Sequence, residues 1–490
     1  MYRKTIFHIV ILTVLMVGIL NTSCKKDPKP PVVTEPVVTA ADLSKDSLYY
    51  LFKDEYLFTD IIPAYDIVNP RASVSNDALF AKLIAYQTAP KDRYSFIDKG
   101  GFVASEIGQG QSQGDLGIDI FYPDSTNLSE LRVKSVTKGS PAFTLGIHRG
   151  WQITSINGNA NIAYDGSNVG GSSVNINRVV AAVFNSNSTS FVFKKPDASS
   201  VPITINAAKY TINPIMLDSV YTFGAKKIGY MVFSSFIEIA RIRTQLDAVF
   251  SKFVSQGVTD LIIDLRYNGG GAVSTSEYLA NLIAPKIVGT DSTKTMFTYD
   301  FNSRIKSNTY STITNTYKLP PPDQKFSYAD LFNSFNQYKT TNFKKQGNLD
   351  IQNVVFLVTK STASASELLI NNLKPYMNVT LIGKPTYGKP VGFIGIPVGG
   401  YDMFTISFKT INANKEGDYY NGMSVALPSL FEDYSKDFGQ LDEVYLNKAL
   451  QKLGVTNLPV LKASKASMGT LDNSKFDRGF KGMIETRKRK

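Results

Sequence analysis

The spacing of apolar and polar positions divides the chain into segments with different periodicities. Apolar residues recur at helical spacing over 42–58 and 76–86, which predicts a small helical N-terminal cap within residues 42–100. From 101 to 213, short strand-like runs alternate with turns and two short helical stretches, and this pattern predicts a compact β-barrel. The Gly-, Ser- and Gln-rich stretch 101–113 that opens this part is expected to be a loop.

Beyond about residue 214 the pattern changes to strands that alternate with helices. The run 260–265 is almost continuously apolar, as is typical of a strand covered on both faces. Similar alternation continues to about residue 460, so residues 214–460 are expected to form a layered α/β core. Residues 285–350 are polar and rich in Tyr, Asn and Thr, and they are interpreted as an insertion that forms a lid or rim. The predicted fold class is mixed α/β.

The N-terminus has the pattern of an export signal. Two basic residues precede an apolar run over 6–20, which is shorter than the ~20 residues that span a bilayer and ends at small residues. Cys24 follows directly, so residues 1–23 resemble a bacterial lipoprotein signal with Cys24 as the lipidated residue. The alternative is a secreted protein with an incidental cysteine. The Pro-rich residues 24–41 suit a semi-rigid tether, which places the protein at a membrane of the bacterial cell envelope, facing the periplasm or the surface.

Composition excludes several classes of site. The chain has one Cys and two His, so an intrachain disulfide, a Cys-rich zinc site and a multi-His metal site are excluded, and no cofactor is expected. The net charge of +12 is concentrated toward both ends, and residues 461–490 are interpreted as a solvated basic tail with no nucleic-acid partner. Gly110–Gly114 matches the pattern G-x-S-x-G, but Ser112 has polar neighbours, and the segment is interpreted as a linker. His148, at a turn, is interpreted as a surface residue.

Three polar segments follow predicted strands of the α/β core, namely Arg-Tyr-Asn-Gly-Gly-Gly at 266–271, Ser-Thr-Ala-Ser-Ala-Ser-Glu at 361–367 and Lys-Pro-Thr-Tyr-Gly-Lys-Pro at 384–390. Carboxyl ends of neighbouring strands are where open α/β sheets place ligands. With histidine scarce, a serine nucleophile needs another base, and a buried lysine can serve because burial favours its neutral amine. A helix N-terminus and a glycine turn can supply N–H donors to an oxyanion.

These segments resemble the core motifs of the C-terminal processing peptidases, or tail-specific proteases, which are serine peptidases with an inserted PDZ domain and a crotonase-like core. The resemblance extends over about residues 42–428. It implies Ser364 as the nucleophile, Lys389 as the base and Glu367 as a carboxylate that orients the lysine. It also implies oxyanion donors, which are the N–H groups of Ala365 and Gly270.

The same resemblance extends to the segment GSPAFTLGIHRGWQITSING at 139–158, which is similar to a PDZ domain. It implies that Leu116, Gly117 and Ile118 form a loop that binds the carboxylate of a peptide. The peptide itself would add to the sheet as an extra strand. Tyr387 is expected to line the cleft. The implied partners are protein or peptide substrates with free C-termini, together with the membrane through the anchor on Cys24.

The sequence departs from the family pattern near the base. Pro390 replaces the usual Gly after the lysine, Phe393 stands where some members have Gln, and Pro375 stands where others have an acidic residue. These departures keep open a second function, that of a catalytically weak or inactive PDZ-containing peptide-binding lipoprotein. Glycan or cell-wall binding through residues 285–350 is a third possibility, supported by composition alone.

Overall fold

The structure is a computed structural model of the 490-residue chain, and it describes residues 37–123, 126–427, 432–461, 471–477 and 479–486. The predicted signal segment 1–23, Cys24 and most of the 24–41 tether lie outside the described residues. Among the residues that are described, no helix has both the length and the apolar character required to cross a membrane.

The helices and strands follow one another along the whole described chain. The α-helices are α1 (Ala40–Glu55), α2 (Tyr65–Val68), α3 (Asn76–Ile84), α4 (Pro141–Thr144), α5 (Val174–Phe184), α6 (Ile239–Ser255), α7 (Val273–Ile283), α8 (Ser303–Ser307), α9 (Thr312–Thr316), α10 (Tyr328–Gln337), α11 (Ala365–Leu373) and α12 (Val444–Lys452). The strands are β1 (Phe96–Asp98), β2 (Ile118–Phe121), β3 (Leu131–Val136), β4 (Gln152–Ile156), β5 (Ser188–Lys194), β6 (Ser200–Asn206), β7 (Ile215–Phe223), β8 (Lys226–Phe233), β9 (Asp260–Asp264), β10 (Gly270–Ala272), β11 (Thr295–Asp300), β12 (Thr340–Asn342), β13 (Asn353–Val358), β14 (Asn378–Gly383), β15 (Val391–Val398), β16 (Tyr401–Asn412) and β17 (Gly482–Ile484).

The core sheet has the order β14-β13-β9-β8-β7, with parallel pairing throughout except for the antiparallel edge strand β7. Apolar clusters cover both of its faces, because successive side chains of a strand point in opposite directions. In β8, Met231 and Phe233 belong to one cluster, whereas Tyr230 and Val232 belong to the other. The predicted mixed α/β class is confirmed by the layered strands and helices.

A separate antiparallel sheet, β2-β3-β4-β5-β6, occupies the segment for which a β-barrel with two helices is predicted. Its strands and the helices α4 and α5 enclose an apolar cluster of their own, which includes Ile153, Trp151 and Phe193. The loop expected over 101–113 is instead largely a π-helix, Val103–Gln109. Val103 and Ile107 bury their side chains against the main core, and this packing overrides the Gly- and Ser-rich composition.

A second large sheet, in the order β10-β17-β15-β16-β11-β12 with β1 added to β16, is absent from the sequence-based prediction. Strand β11 comes from residues 285–350, which were expected to form a lid or rim. Phe297 and Tyr299 of that strand are buried in the main core, so this part of the segment is structural. The cap helices α1 and α3 also pack into the main core, as Leu48 and Leu79 show.

The C-terminal region differs from the solvated tail that composition predicts. Phe476 is buried against the ring of Tyr122, and Asn473 exchanges hydrogen bonds with the backbone of Tyr122. Farther along, β17 lies between β10 and β15. The basic composition of this region conceals short apolar segments that are buried.

Candidate active site

The three segments singled out in the sequence lie at the carboxyl ends of adjacent parallel strands. The Gly-rich turn follows β9, the Ser-rich segment follows β13, and the Lys389 turn follows β14. A buried ion-pair network holds the first of these turns. The Arg266 guanidinium lies 2.6 Å from the Asp264 carboxylate and 2.8 Å from that of Glu443. Because all of these groups are buried, each charge depends on the others for compensation.

Ser364 has an unusual backbone and an unusual side-chain environment. Its φ of +62° and ψ of −109° lie outside the regions that residues with a Cβ favour, which costs on the order of 1–3 kcal/mol. Its hydroxyl is buried and has no hydrogen-bond partner among the described residues. By contrast, Ser361 donates to Asp477 at 3.1 Å and Ser366 donates to the Asn268 carbonyl at 3.0 Å. Of the three serines, Ser364 is therefore the one with an uncommitted hydroxyl.

Lys389 is fully buried, and burial lowers the pKa of its amine well below the ordinary lysine value. The Phe393 ring has its centroid 3.7 Å from Nζ. A ring face attracts the ammonium form, so this contact opposes the effect of burial. In this arrangement Nζ donates a hydrogen bond of 2.6 Å to the carbonyl oxygen of Lys481.

The Glu367 carboxylate connects the serine and lysine segments. Its Oε2 accepts from the backbone N–H groups of both Ser364 and Lys389, each at 2.8 Å. Its Oε1 accepts from the Gly388 N–H at 2.7 Å and from the Thr386 hydroxyl at 2.5 Å. Glu367 was expected to orient the lysine, and the contacts that it makes are with the backbone of the lysine turn.

The Gly-rich turn lies directly against the start of α11. A Cβ added to Gly270, which has a φ of +106°, would lie 2.9 Å from the Ala365 nitrogen, so this approach requires glycine. The Gly270 N–H was expected to face an oxyanion, but it donates to the Asn268 Oδ1 at 2.9 Å. The Asn268 carbonyl also accepts from the Ala363 N–H at 3.1 Å. Asn268 thus ties the two segments together, a role that its position before three glycines in the sequence did not indicate.

The predicted carboxylate-binding loop opens into a cavity of about 500 Å³ that also reaches Gly270. Leu116, Gly117 and Ile118 all line this cavity. The Gly117 N–H, however, donates to the Asp115 carboxylate at 2.7 Å. A peptide carboxylate would have to displace this internal one.

Acidic groups continue along the same cavity. Burial, together with the nearby Asp115, raises the pKa of Glu106 to about 7.

Tyr387, expected to line the cleft, is half-buried, and its ring lies 4.9 Å from the Arg93 guanidinium and 5.7 Å from the Lys481 amine. Within the described part of the chain, no group of three or more His, Cys, Asp or Glu side chains is arranged to hold a metal ion.

Part of the chain is similar in sequence to known peptidases. Residues 227–422 match the sequence profile of peptidase family S41. The carboxy-terminal processing protease CtpA of Bacillus subtilis (strain 168) is 23% identical over 363 residues, which cover 73% of this chain and 65% of that protein. The chain thus matches slightly less than two thirds of the length of this relative.

A solved structure shares the fold. The crystal structure of a Bacteroides fragilis protein assigned to the S41 proteases has a TM-score of 0.58 with 22% identity, covering 84% of this chain and 97% of the other. The matched segment 227–422 contains Ser364, Glu367 and Lys389. The matched segment begins in the core strand β8 and runs past the lysine turn, and this part of the chain is similar to peptidase family S41.

Proposed function

We propose that the chain is an exported serine peptidase that hydrolyses polypeptides through a Ser364–Lys389 dyad. One observation carries the proposal: an unpartnered serine hydroxyl and a lysine amine of lowered pKa are both fully buried, and one carboxylate binds the backbone of both residues. A buried hydroxyl without a partner is uncommon unless it has a function. The match to peptidase family S41 supports the reaction class.

In the proposed mechanism the neutral Lys389 amine takes the proton of the Ser364 hydroxyl as Oγ attacks the scissile carbonyl. The Ala365 N–H, at the start of α11, stabilises the oxyanion of the tetrahedral intermediate. The protonated amine then gives its proton to the departing amine of the product. Water hydrolyses the acyl-enzyme by the same route, and Glu367 keeps both backbone segments in place throughout.

The pH dependence of catalysis should report the Lys389 amine. The neutral amine is the active form, so kcat/KM should be low in acid and rise with pH through a pKa below the ~10.4 of an exposed lysine. Replacing Phe393 by leucine removes a ring that favours the ammonium, and the rise should move to lower pH. Phe297→Leu, a buried change in β11, is the matched control and should leave the midpoint unchanged. A midpoint for Phe393→Leu that is unchanged or higher would contradict this electrostatic role.

We also propose that the β2–β6 module is a PDZ domain that binds substrate C-termini, and that Cys24 carries a lipid anchor. The test is digestion of peptides with free or amidated C-termini by the chain from Lys25 to Lys490, with Ser364→Ala as the blank. Cleavage of the free peptides should exceed that of the amidated ones, since the Gly117 loop would bind the carboxylate.

The Asp115 carboxylate competes with a peptide carboxylate for the Gly117 N–H. Removing it should increase the preference for peptides with free C-termini. Asp115→Ala is expected to lower KM for free peptides by about threefold or more, and to leave amidated peptides unchanged. Equal cleavage of both peptide types would refute tail recognition without touching the dyad. If a fluorophosphonate probe failed to label Ser364 and no peptide were cut, the peptide-binding scaffold would be favoured instead.

A further inference from the structure

The C-terminal segment, residues 479–486, lies as an extended peptide between β10 and β15. Strand β17 is parallel to β10 on one side and to β15 on the other. The Gly482 N–H donates to the Gly269 carbonyl at 3.0 Å, and the Glu485 N–H donates to the Phe393 carbonyl at 3.0 Å. These contacts join the segment to the glycine turn on one side and to the strand that follows the base on the other.

The side chains of this segment are accommodated by shape. Met483 and Ile484 are buried in the main apolar cluster. At position 482 an added Cβ would lie 1.9 Å from the nearest ring atom of Phe480, which belongs to the same segment and packs against Phe96 and Phe102. A peptide that binds in this slot between β10 and β15 with the ring in place therefore needs glycine at 482, followed by two apolar residues that the core buries.

The segment also engages the base. The Lys389 amine donates its hydrogen bond to the Lys481 carbonyl, while the Ser364 hydroxyl has no partner. A neutral amine keeps its lone pair while it donates an N–H, so the contact acts through orientation: it directs the amine to the Lys481 carbonyl, and no hydrogen bond joins the amine to the Ser364 hydroxyl. The same contact holds the Lys481 carbonyl oxygen on the Lys389 amine. The carbonyl group is then in an unproductive position for attack by the Ser364 hydroxyl.

We propose that residues 479–486 are a tethered, substrate-like ligand of this slot, which inhibits the enzyme by holding Lys389 until a substrate displaces it. This inference rests on the proposed peptidase function. The tether is short, because Asn473 and Phe476 are anchored on Tyr122 just before it. A short tether gives an effective concentration on the order of millimolar, so even weak intrinsic binding keeps the slot occupied.

Two truncations test the inhibition. A chain that ends at Asp477 keeps the anchor but loses the occupying segment, and a matched chain that ends at Thr486 loses only the last four residues. We expect the first to hydrolyse casein and to react with a fluorophosphonate probe about tenfold or more faster than the full chain. The second should stay within about twofold of the full chain. Equal rates for the two truncated chains would overturn the inhibition.

Binding is measured separately so that it does not depend on catalysis. A fluorescein-labelled peptide of residues 478–486 should bind the chain that ends at Asp477 and carries Ser364→Ala, as followed by fluorescence anisotropy. The same peptide with Gly482→Val should bind about tenfold or more weakly, because a Cβ at 482 would collide with the peptide's own Phe480 ring in its bound position. Equal binding of the two peptides, or none by either, would overturn the assignment of the slot.

The remaining outcomes separate this inference from the peptidase assignment. Selective peptide binding with no hydrolysis by any chain would support the slot and refute the proposed function. Intact-mass measurement should find the full chain uncut after incubation. Cleavage between Lys481 and Gly482 would overturn inhibition, because the segment would then be a substrate.

Discussion

Ser364→Ala is expected to lower kcat/KM for peptide hydrolysis by at least about 10³-fold, since it removes the atom that would form the acyl-enzyme. Its effect on stability should be small. The hydroxyl that is lost has no hydrogen-bond partner, and alanine carries the same positive-φ cost as serine. Thermal unfolding of the variant should therefore occur at the parent temperature or slightly above it.

Lys389→Met is expected to cause a loss of similar size. Methionine has a comparable length and no ionisable group, so the buried amine disappears without a large cavity. Since burial already disfavours the ammonium, stability should not fall. Measuring both variants in the full chain and in the chain that ends at Asp477 keeps occupancy of the cleft from concealing the loss.

Ser366→Ala and Ser361→Ala are the matched controls, because these hydroxyls already donate to other groups. Each should retain activity within about tenfold of the parent, with Ser366→Ala losing about 1 kcal/mol of stability from its buried hydrogen bond. Full activity in Ser364→Ala, together with inactivity in Ser366→Ala, would reassign the nucleophile.

The parts of the fold that the sequence predicted are those in which one periodicity dominates. The continuous apolar run of β9 ends within a residue of its predicted limit. The second large sheet was missed because the alternation in β11 lies inside a polar segment. Tyr299 and Phe297 of that strand are buried only because β16 provides the surface against which they pack.

The candidate site was predictable to a different extent. Motif resemblance singled out Ser364, Lys389 and Glu367, and the structure brings together the two segments that carry them. The resemblance could not indicate that the Gly270 N–H would donate to Asn268, or that the Lys481 carbonyl would accept a hydrogen bond from the base. Both contacts depend on how remote backbone segments approach, and a sequence pattern holds no information about hydrogen bonds between such segments.

Glu367→Gln is expected to reduce kcat about 10–100-fold and stability by about 1–3 kcal/mol. The carboxylate accepts from three backbone N–H groups and one hydroxyl. An amide has one oxygen, and its NH₂ group must therefore face at least one of the N–H donors. In the better orientation the Gly388 N–H, next to the base, loses its acceptor, so the lysine turn should shift.

Glu367→Gln could lower activity by an electrostatic effect on Lys389 or by a purely structural one. A purely structural effect would not change the pKa of the base, so the pH profile separates the two. As a carboxylate, Glu367 raises the pKa of Lys389 against the effect of burial. With glutamine in its place, the midpoint of the kcat/KM profile should move to lower pH. A loss of activity with an unchanged midpoint would mean that Glu367 acts only by holding the fold.

Glu55→Gln provides the matched comparison for this change. Glu55 is also fully buried, and it accepts from the hydroxyls of Thr405 and Ser407. Burial raises the pKa of Glu55 to about 8, so at pH 7 it is mostly neutral and glutamine is close to an isostere. Glu55→Gln should therefore leave activity within about twofold and the pH midpoint unchanged. If both glutamine variants lost activity equally, the loss at Glu367 would follow from burying an amide, and its proposed link between nucleophile and base would be wrong.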